Sequence, residues 1–204
     1  MKSVLTILLT FLVLLAQAVT TLSGSIEINK INLTQLTVRY TFILDQQDSV
    51  FSADSFSSTI RCVGSSSNIN LTNPVELSKT KQFLSCSNTS YKWNIVYGNT
   101  LDLGDTKFSA IGACCNLKID ASCGKRSNTI SSLSTSLTDF YIYTQFENCN
   151  IISNQTPAYY SSLHSNNCLN QPYFFNLGTL DTANFDSISY RLVAPLSNTG
   201  SALS

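Results

Sequence analysis

The chain has 204 residues, of which only 12% are charged, and its formal net charge is zero. No basic run exceeds the pair Lys125-Arg126, so neither nucleic acid nor an anionic membrane is an expected partner. Ser, Thr and Asn make up about a third of the chain, while 43% of the residues are hydrophobic. The composition therefore predicts a folded protein with a polar, largely uncharged surface.

The first residues predict secretion. A single basic residue, Lys2, precedes an apolar run from Val4 to Leu15, and small residues follow at Ala16 and Ala18. This pattern is typical of a signal peptide that is cleaved after about Ala18. The run is too short for a membrane-spanning helix, which needs roughly 20 residues. We expect residues 1–18 to be removed, residues 19–204 to form a single β-rich domain, and the mature protein to be secreted without a membrane span.

Short strands are predicted along the chain. Leu36–Leu44 has an apolar side chain at every second position, which is the period of a half-buried strand, and Ser25–Leu33 precedes it as another candidate. The further candidates are Thr59–Val63, Gln82–Cys86, Tyr91–Tyr97, Lys107–Cys115, Phe140–Phe146, Tyr173–Leu177 and Ser187–Ala194. Turn-rich spacers separate them. The predicted fold class is all-β, an antiparallel β-sandwich or barrel of short strands stapled by disulfides.

Two overlapping stretches leave the secondary structure and the domain division open. Thr129–Leu137 fits a helix face as well as a strand, and the polar stretch Ser127–Ser136 is the place where the chain would divide if it held two domains. Cysteines lie on both sides of this stretch, which favours one domain.

Four sequons for N-glycosylation occur in the chain. Their acceptor residues are Asn32, Asn70, Asn88 and Asn154. Exposed sequons of a secreted protein are usually occupied. We expect at least two of the four to carry glycans.

Seven cysteines lie in the expected mature chain: Cys62, Cys86, Cys114, Cys115, Cys123, Cys149 and Cys168. In a secreted protein cysteines are usually paired in disulfides. Structural zinc sites use close pairs such as Cys-x-x-Cys, often with histidines, but this chain has no such pair and only one histidine, His164. We therefore expect disulfides, and neither a metal nor another cofactor.

The adjacent cysteines suggest a pairing scheme. Side chains of successive strand residues point to opposite faces, so Cys114 and Cys115 should have different partners. We expect Cys115 to pair with Cys123 around a small hairpin, although the spacing leaves other arrangements open. The other expected pairs are Cys62 with Cys86 and Cys149 with Cys168. Cys114 is then a free thiol or the link of a disulfide-linked homodimer.

No catalytic residue is identified. The chain lacks Gly-x-Ser-x-Gly, and His164 lies in a polar, loop-like context. A glycan hydrolase would need two facing carboxylates. The acidic candidates are Asp102, Asp105, Asp120, Asp139, Glu147, Asp181 and Asp186. Their spacing does not single out a pair, and the segment from Asp102 to Asp105 is more typical of a turn than of a calcium loop.

One aromatic pair indicates binding. Tyr91 and Trp93 are two residues apart in a predicted strand, so they should share one face. Exposed Tyr and Trp rings stack on sugars or anchor protein interfaces, although core packing is the commoner role of such residues. We therefore regard Tyr91 and Trp93 as a candidate aromatic binding surface.

The leader, the length of about 200 residues, the scattered cysteines, the Asn/Ser/Thr bias and the short β runs together resemble small secreted proteins of social amoebae, especially those related to the counting-factor-associated domain. The resemblance implies a secreted, non-catalytic factor in cell-number or adhesion signalling. The predicted function is thus a secreted glycoprotein that binds an extracellular protein or glycan. The alternatives are a secreted glycan-active hydrolase with paired carboxylates and a disulfide-linked matrix or coat component.

Overall fold

The computed structural model describes residues 20–45, 51–84, 87–126, 139–149, 154–159, 178–181 and 188–189. The strands in these ranges are β1 (Thr20–Lys30), β2 (Gln35–Leu44), β3 (Phe56–Cys62), β4 (Ile69–Leu71), β5 (Val75–Leu84), β6 (Ser87–Asp102), β7 (Asn116–Arg126), β8 (Asp139–Glu147), β9 (Ala158–Tyr159) and β10 (Thr179–Leu180). Two short 3-10 turns are Ala53–Ser55 and Thr106–Phe108. The expected signal peptide lies outside the described residues.

Strands β1 to β8 form two antiparallel layers. The first layer has the order β5-β6-β2-β1, and the second has the order β4-β3-β7-β8. A short parallel pairing of β1 with β7, Thr20 with Lys125 and Thr21 with Arg126, joins them. The expected all-β, antiparallel fold is confirmed, and the described sheet does not close into a barrel.

The two layers pack face to face through aromatic side chains. Phe56 of β3 lies against Tyr40 and Phe42 of β2, with ring centroids 5.3 and 4.9 Å apart, and against Tyr97 of β6 at 5.3 Å. Tilted rings at these separations are favourable beyond the area that they bury. The hydrophobic core therefore lies between the layers, as in a β-sandwich.

The alternation in β2 and β7 explains why these segments are strands. Every second residue from Leu36 to Leu44 is fully buried, as the sequence indicates. In β7 the buried residues are Leu117, Ile119, Ala121 and Cys123, while the residues between them face away from the core. Each fully buried Leu or Ile side chain stabilises the fold by about 1.5–3 kcal/mol. One face of each strand therefore builds the core and the other is left for polar contacts.

The predicted strand Lys107–Cys115 is wrong. The segment begins with the 3-10 turn Thr106–Phe108, in which the carboxylate of Asp105 accepts a hydrogen bond from the main-chain N–H of Lys107 at 3.2 Å. Phe108 and Ile111 are both buried, which is a spacing of one turn and not of a strand. The strand starts only at Asn116, because the turn brings its apolar residues to the core without extending the chain.

Other predicted strands are longer than expected or lie outside the described residues. Residues 82–84 of the first segment end β5, which extends back to Val75, and Tyr91–Tyr97 lies in β6, which extends on to Asp102. Residues 85–86 are not described. Tyr173–Leu177, the ambiguous segment Thr129–Leu137 and the boundary stretch Ser127–Ser136 are not described, nor are all but two residues of Ser187–Ala194. Within the described ranges, no helix has the length and apolar character needed to cross a membrane.

Candidate functional site

Two disulfides connect the adjacent cysteines to different parts of the sandwich. Cys114 bonds to Cys62 at the end of β3, with Cα atoms 5.8 Å apart. Cys115 bonds to Cys149, just after β8, with Cα atoms 4.6 Å apart. Both distances are normal for disulfides. The segment before β7 is therefore tied to the ends of both strands that flank β7.

These bonds correct the pairing expected from the spacing. Cys62 does not pair with Cys86, nor Cys149 with Cys168; Cys86 and Cys168 themselves lie outside the described residues. The expected hairpin between Cys115 and Cys123 is instead the strand β7. Eight residues of strand span roughly 26 Å, far beyond the reach of a disulfide. Cys114 is not the spare thiol, so it provides no link to a second chain.

The spare thiol among the described cysteines is Cys123. It lies in the core, only 4% exposed, and its sulfur is 3.3 Å from the hydroxyl oxygen of Thr21. Burial raises the pKa of the Cys123 thiol to about 11, and the contact with Thr21 offsets only part of that rise. A thiol that stays protonated and covered is a poor nucleophile and a poor metal ligand.

The expected aromatic pair does share one face of β6. The rings of Tyr91 and Trp93 meet edge to face with centroids 5.5 Å apart, and Tyr91 also meets Phe83 of β5 at 5.8 Å. Tyr91 and Trp93 lie on the same side of β6 as the buried Ile95 and Tyr97, and Trp93 is partly buried against the core. Phe83 is 58% exposed.

Two lysines of β5 complete this surface. The ammonium of Lys81 lies 4.5 Å from the Tyr91 ring centroid and 5.2 Å from that of Trp93, and Lys79 lies 5.3 Å from Trp93. Such contacts are cation–π interactions. The indole Nε1 of Trp93 is buried and has no hydrogen-bond partner among the residues that the structure describes. We call Lys79, Lys81, Phe83, Tyr91 and Trp93 together the β5–β6 aromatic surface.

The sequence contains a signal for this surface beyond Tyr91 and Trp93. Lys79, Lys81 and Phe83 alternate in the chain, so any strand places them on one face. The register of β5 with β6 places Lys81 opposite Trp93 and Phe83 opposite Tyr91. That register could not be derived from composition or spacing.

A second polar cluster lies on the outer face of β3, β7 and β8. Asp120 accepts a hydrogen bond from the Thr59 hydroxyl at 2.7 Å, and its other carboxylate oxygen lies 3.4 Å from the Tyr141 hydroxyl and 3.9 Å from the Arg61 guanidinium. The ammonium of Lys118 lies 4.0 Å from the Tyr143 ring centroid. We call Arg61, Lys118, Asp120, Tyr141 and Tyr143 the β3–β7–β8 cluster.

A small cleft lies on the outer face of the first layer. It has a volume of about 230 Å³, and Glu27, Arg39, Gln155 and Thr156 are among its lining residues. Glu27 already accepts a hydrogen bond from the main-chain N–H of Tyr159 at 3.4 Å. The cleft brings together one carboxylate and one guanidinium, and its other polar lining residues are amides and threonine hydroxyls.

Three of the candidate acids, Asp102, Asp105 and Asp120, serve local structure. Asp102 accepts a hydrogen bond from the main-chain N–H of Gly104 at 2.9 Å, and Asp105 caps the following 3-10 turn. Asp120 is engaged as described above. Asp186, the side chain of Asp139 and His164 lie outside the described part of the chain. Among the described residues, no three His, Cys, Asp or Glu side chains gather into a group that would hold a metal ion.

The sequon residues differ in their surroundings. Asn32 and Asn70 are exposed, whereas Asn154 is partly buried and donates a hydrogen bond from its side-chain nitrogen to the main-chain oxygen of Glu147 at 3.3 Å. Thr156 of the same sequon is buried and its hydroxyl accepts a hydrogen bond from the N–H of Ile28 at 2.7 Å. Asn88 lies in β6, and its side chain is not described.

Comparison of the chain with protein-family models, with curated proteins and with solved structures finds no match.

Proposed function

We propose that the chain is a secreted glycoprotein with a non-catalytic binding or signalling role, and that the β5–β6 aromatic surface contacts its extracellular partner. The observation that carries this proposal is the grouping of three aromatic rings and two lysines on one partly exposed stretch of the sheet. Tyr and Trp side chains dominate binding energy at many interfaces, because they bury much area with few rotatable bonds.

Three further observations support an extracellular binding role. The amino-terminal pattern is that of a signal peptide, and the chain has the general character of small secreted amoebal proteins. The two disulfides suit an oxidising compartment. Three of the candidate acids, Asp102, Asp105 and Asp120, are engaged in turns or in the β3–β7–β8 cluster, which favours binding over hydrolysis.

The chemistry of the surface indicates the kind of partner. Tyr and Trp rings offer flat apolar faces for sugar rings or apolar side chains, and Lys81 adds a positive charge beside them. The buried, unsatisfied Nε1 of Trp93 offers a donor to a partner group that reaches it after a small rearrangement. An extracellular glycan or a protein with acceptor groups fits this surface.

Cell-surface binding tests the proposal. The full secreted chain would be labelled fluorescently and titrated onto the cells that produce it. The double variant Tyr91→Ala/Lys81→Ala should bind about tenfold more weakly, because each hot-spot truncation costs at least about 1 kcal/mol. The matched control Val63→Ala/Lys107→Ala removes one exposed apolar side chain and one lysine elsewhere, and should bind like the wild type.

Retention of full binding by the Tyr91/Lys81 variant would contradict the role of this surface. Retention of the wild-type chain inside the cells would contradict secretion. Release of sugar from a glycan substrate by the purified chain would contradict the non-catalytic role.

A further inference from the structure

We propose that Arg61 and Lys118 form an oxyanion-binding site that takes the sulfate or carboxylate groups of an acidic polysaccharide. The site lies on the outer face of the second layer and shares no residue with the β5–β6 aromatic surface. This proposal can therefore be tested independently of the binding role proposed for that surface.

The first observation is the pairing of two cations. Arg61 of β3 and Lys118 of β7 are direct cross-strand partners. Side chains in such positions have Cβ atoms roughly 5 Å apart, and like charges there destabilise a sheet. Burial lowers the pKa of Lys118 and the nearby Arg61 lowers it further, while the Asp120 carboxylate offsets part of this fall. The two neighbouring cations thus repel each other, and a bound anion would offset this repulsion.

The second observation concerns the carboxylate beside them. Asp120 is the acid of the cluster, but its oxygens already face the hydroxyls of Thr59 and Tyr141. Its contact with Arg61 involves one guanidinium nitrogen at 3.9 Å, which is too long for a hydrogen bond. The acid therefore orients Arg61 without occupying its planar set of donors.

The third observation concerns the N–H donors of Arg61 and Lys118 that remain for a ligand. Arginine carries five N–H donors in a fork that matches an oxyanion, and lysine carries three. Within the described ranges, Arg61 has only the long contact with Asp120, and Lys118 has only its contacts with the tyrosine rings, besides the charges around it. The Arg61 side chain is 29% exposed, so solvent reaches it.

The neighbouring rings favour an anion attached to a sugar. Tyr143 is 44% exposed and lies directly beside Lys118, and its ring centroid is 6.2 Å from that of Tyr141. An aromatic wall next to a cationic pair lets a pyranose ring pack on the tyrosine while its acidic group reaches Arg61 and Lys118. A free inorganic ion would use only the charges.

The test is affinity electrophoresis of the full secreted chain in gels that contain a sulfated polysaccharide, polygalacturonate, neutral dextran or poly-glutamate. The wild type should be retarded by the two acidic polysaccharides and not by dextran. Inorganic sulfate at the same anion concentration should compete only weakly. Retardation that is as strong with poly-glutamate as with the polysaccharides would overturn the assignment to sugars.

Three variants locate the site. Lys118→Gln should weaken polysaccharide binding about tenfold, the usual cost of one charge-assisted contact, and Tyr143→Ala should weaken it while leaving competition by sulfate unchanged. The matched control Lys107→Gln removes the same charge from an exposed turn. Equal losses in Lys118→Gln and Lys107→Gln would mean that only overall charge matters, and would overturn the proposal.

Thermal unfolding of the same variants separates binding from structure. Lys118→Gln removes one of two facing cations, so its melting temperature without ligand should be equal to or higher than that of the wild type. Added polysaccharide should raise the melting temperature of the wild type more than that of the variant. A variant that is less stable but binds normally would show that Lys118 is purely structural.

Discussion

The hydroxyl of Tyr40 in β2 lies 2.8 Å from the hydroxyl oxygen of Ser58 in β3, and this contact joins the two layers within the core. Ser58 uses its own proton to donate to the main-chain oxygen of Asp120, also at 2.8 Å. Tyr40 is therefore the donor to Ser58. The chain of two hydrogen bonds connects β2, β3 and β7 across the interior.

Tyr40→Phe should destabilise the protein by about 1 kcal/mol, because Ser58 loses its donor while its bond to Asp120 remains. Urea unfolding followed by fluorescence would measure the change as a lower midpoint with an unchanged slope. Tyr143→Phe, at an exposed position, is the control and should change the midpoint little. A midpoint for Tyr40→Phe equal to that of the control would contradict the buried bond.

Alkaline pH should destabilise the protein by ionising its buried tyrosine and cysteine side chains. Burial raises the pKa of Tyr40 from 10.0 to about 12 and that of the Cys123 thiol from 9.0 to about 11. A group with a raised pKa contributes stability that is complete below its unfolded pKa and is lost as the pH rises through the folded pKa. The free energy of unfolding should thus fall between about pH 9 and 12, and fall less steeply in Tyr40→Phe. An equal slope in the two proteins would argue against Tyr40 as a source.

The Cys123 thiol should not react in the folded protein. It is 4% exposed, and burial holds its pKa at about 11, so both access and the thiolate fraction are low at pH 8. We expect iodoacetamide to modify Cys123 only after denaturation, as read from the mass of the peptide that contains it. Labelling of Cys123 at the same rate in native and denatured samples would contradict its place in the core.

Gly24 of β1 occupies a position that excludes a side chain. A Cβ atom there would lie 2.8 Å from the main-chain oxygen of Thr41 and 3.3 Å from the rings of Phe42 and Phe140. Gly24→Ala should therefore lower stability by about 1–3 kcal/mol, the usual cost of overpacking. Ser25→Ala is a neighbouring control that should be neutral or stabilising, because the buried Ser25 hydroxyl has no hydrogen-bond partner in the described part of the chain. Similar midpoints for the two variants would contradict the close approach at Gly24.

The strands that the sequence predicts well are those with unbroken alternation. Leu36–Leu44 forms β2 because every second side chain enters the core, and the shared face of Tyr91 and Trp93 follows from the same period. Strand β7 was missed because its apolar positions include Ala121 and Cys123, which do not stand out as core residues. The expected bond between Cys115 and Cys123 places a small hairpin where the structure has one continuous strand.

The contacts that define the candidate sites depend on long-range pairing. Arg61 and Lys118 are 57 positions apart in the numbering and become neighbours only through the register of β3 with β7. The disulfides between Cys62 and Cys114 and between Cys115 and Cys149 likewise depend on where three strands end. Local spacing favours bonds between cysteines close in sequence, and so it gave the wrong partners.

The sequons should differ in glycan occupancy. Asn32 and Asn70 are exposed, Asn32 in the turn between β1 and β2 and Asn70 in the short strand β4. The side-chain nitrogen of Asn154 instead points to the main-chain oxygen of Glu147, at the end of β8. A glycan on that nitrogen must extend away from β8, so the native contact opposes modification at Asn154. Asn70 has no such contact among the described residues, and the Asn32 nitrogen donates only to the side-chain oxygen of Gln35, at 3.1 Å, which can rotate away when a glycan is attached.

We therefore expect Asn32 and Asn70 to be mostly occupied and Asn154 to be mostly bare in the secreted protein. Enzymatic removal of glycans in water labelled with heavy oxygen, followed by peptide mass spectrometry, would measure occupancy at each site, because only released sites gain the label. Asn70→Gln should remove one glycan mass from the intact protein, whereas Asn154→Gln should leave the glycan mass unchanged. A fully occupied Asn154 beside a bare Asn70 would contradict this reasoning, since exposure would then not govern which sequons are used.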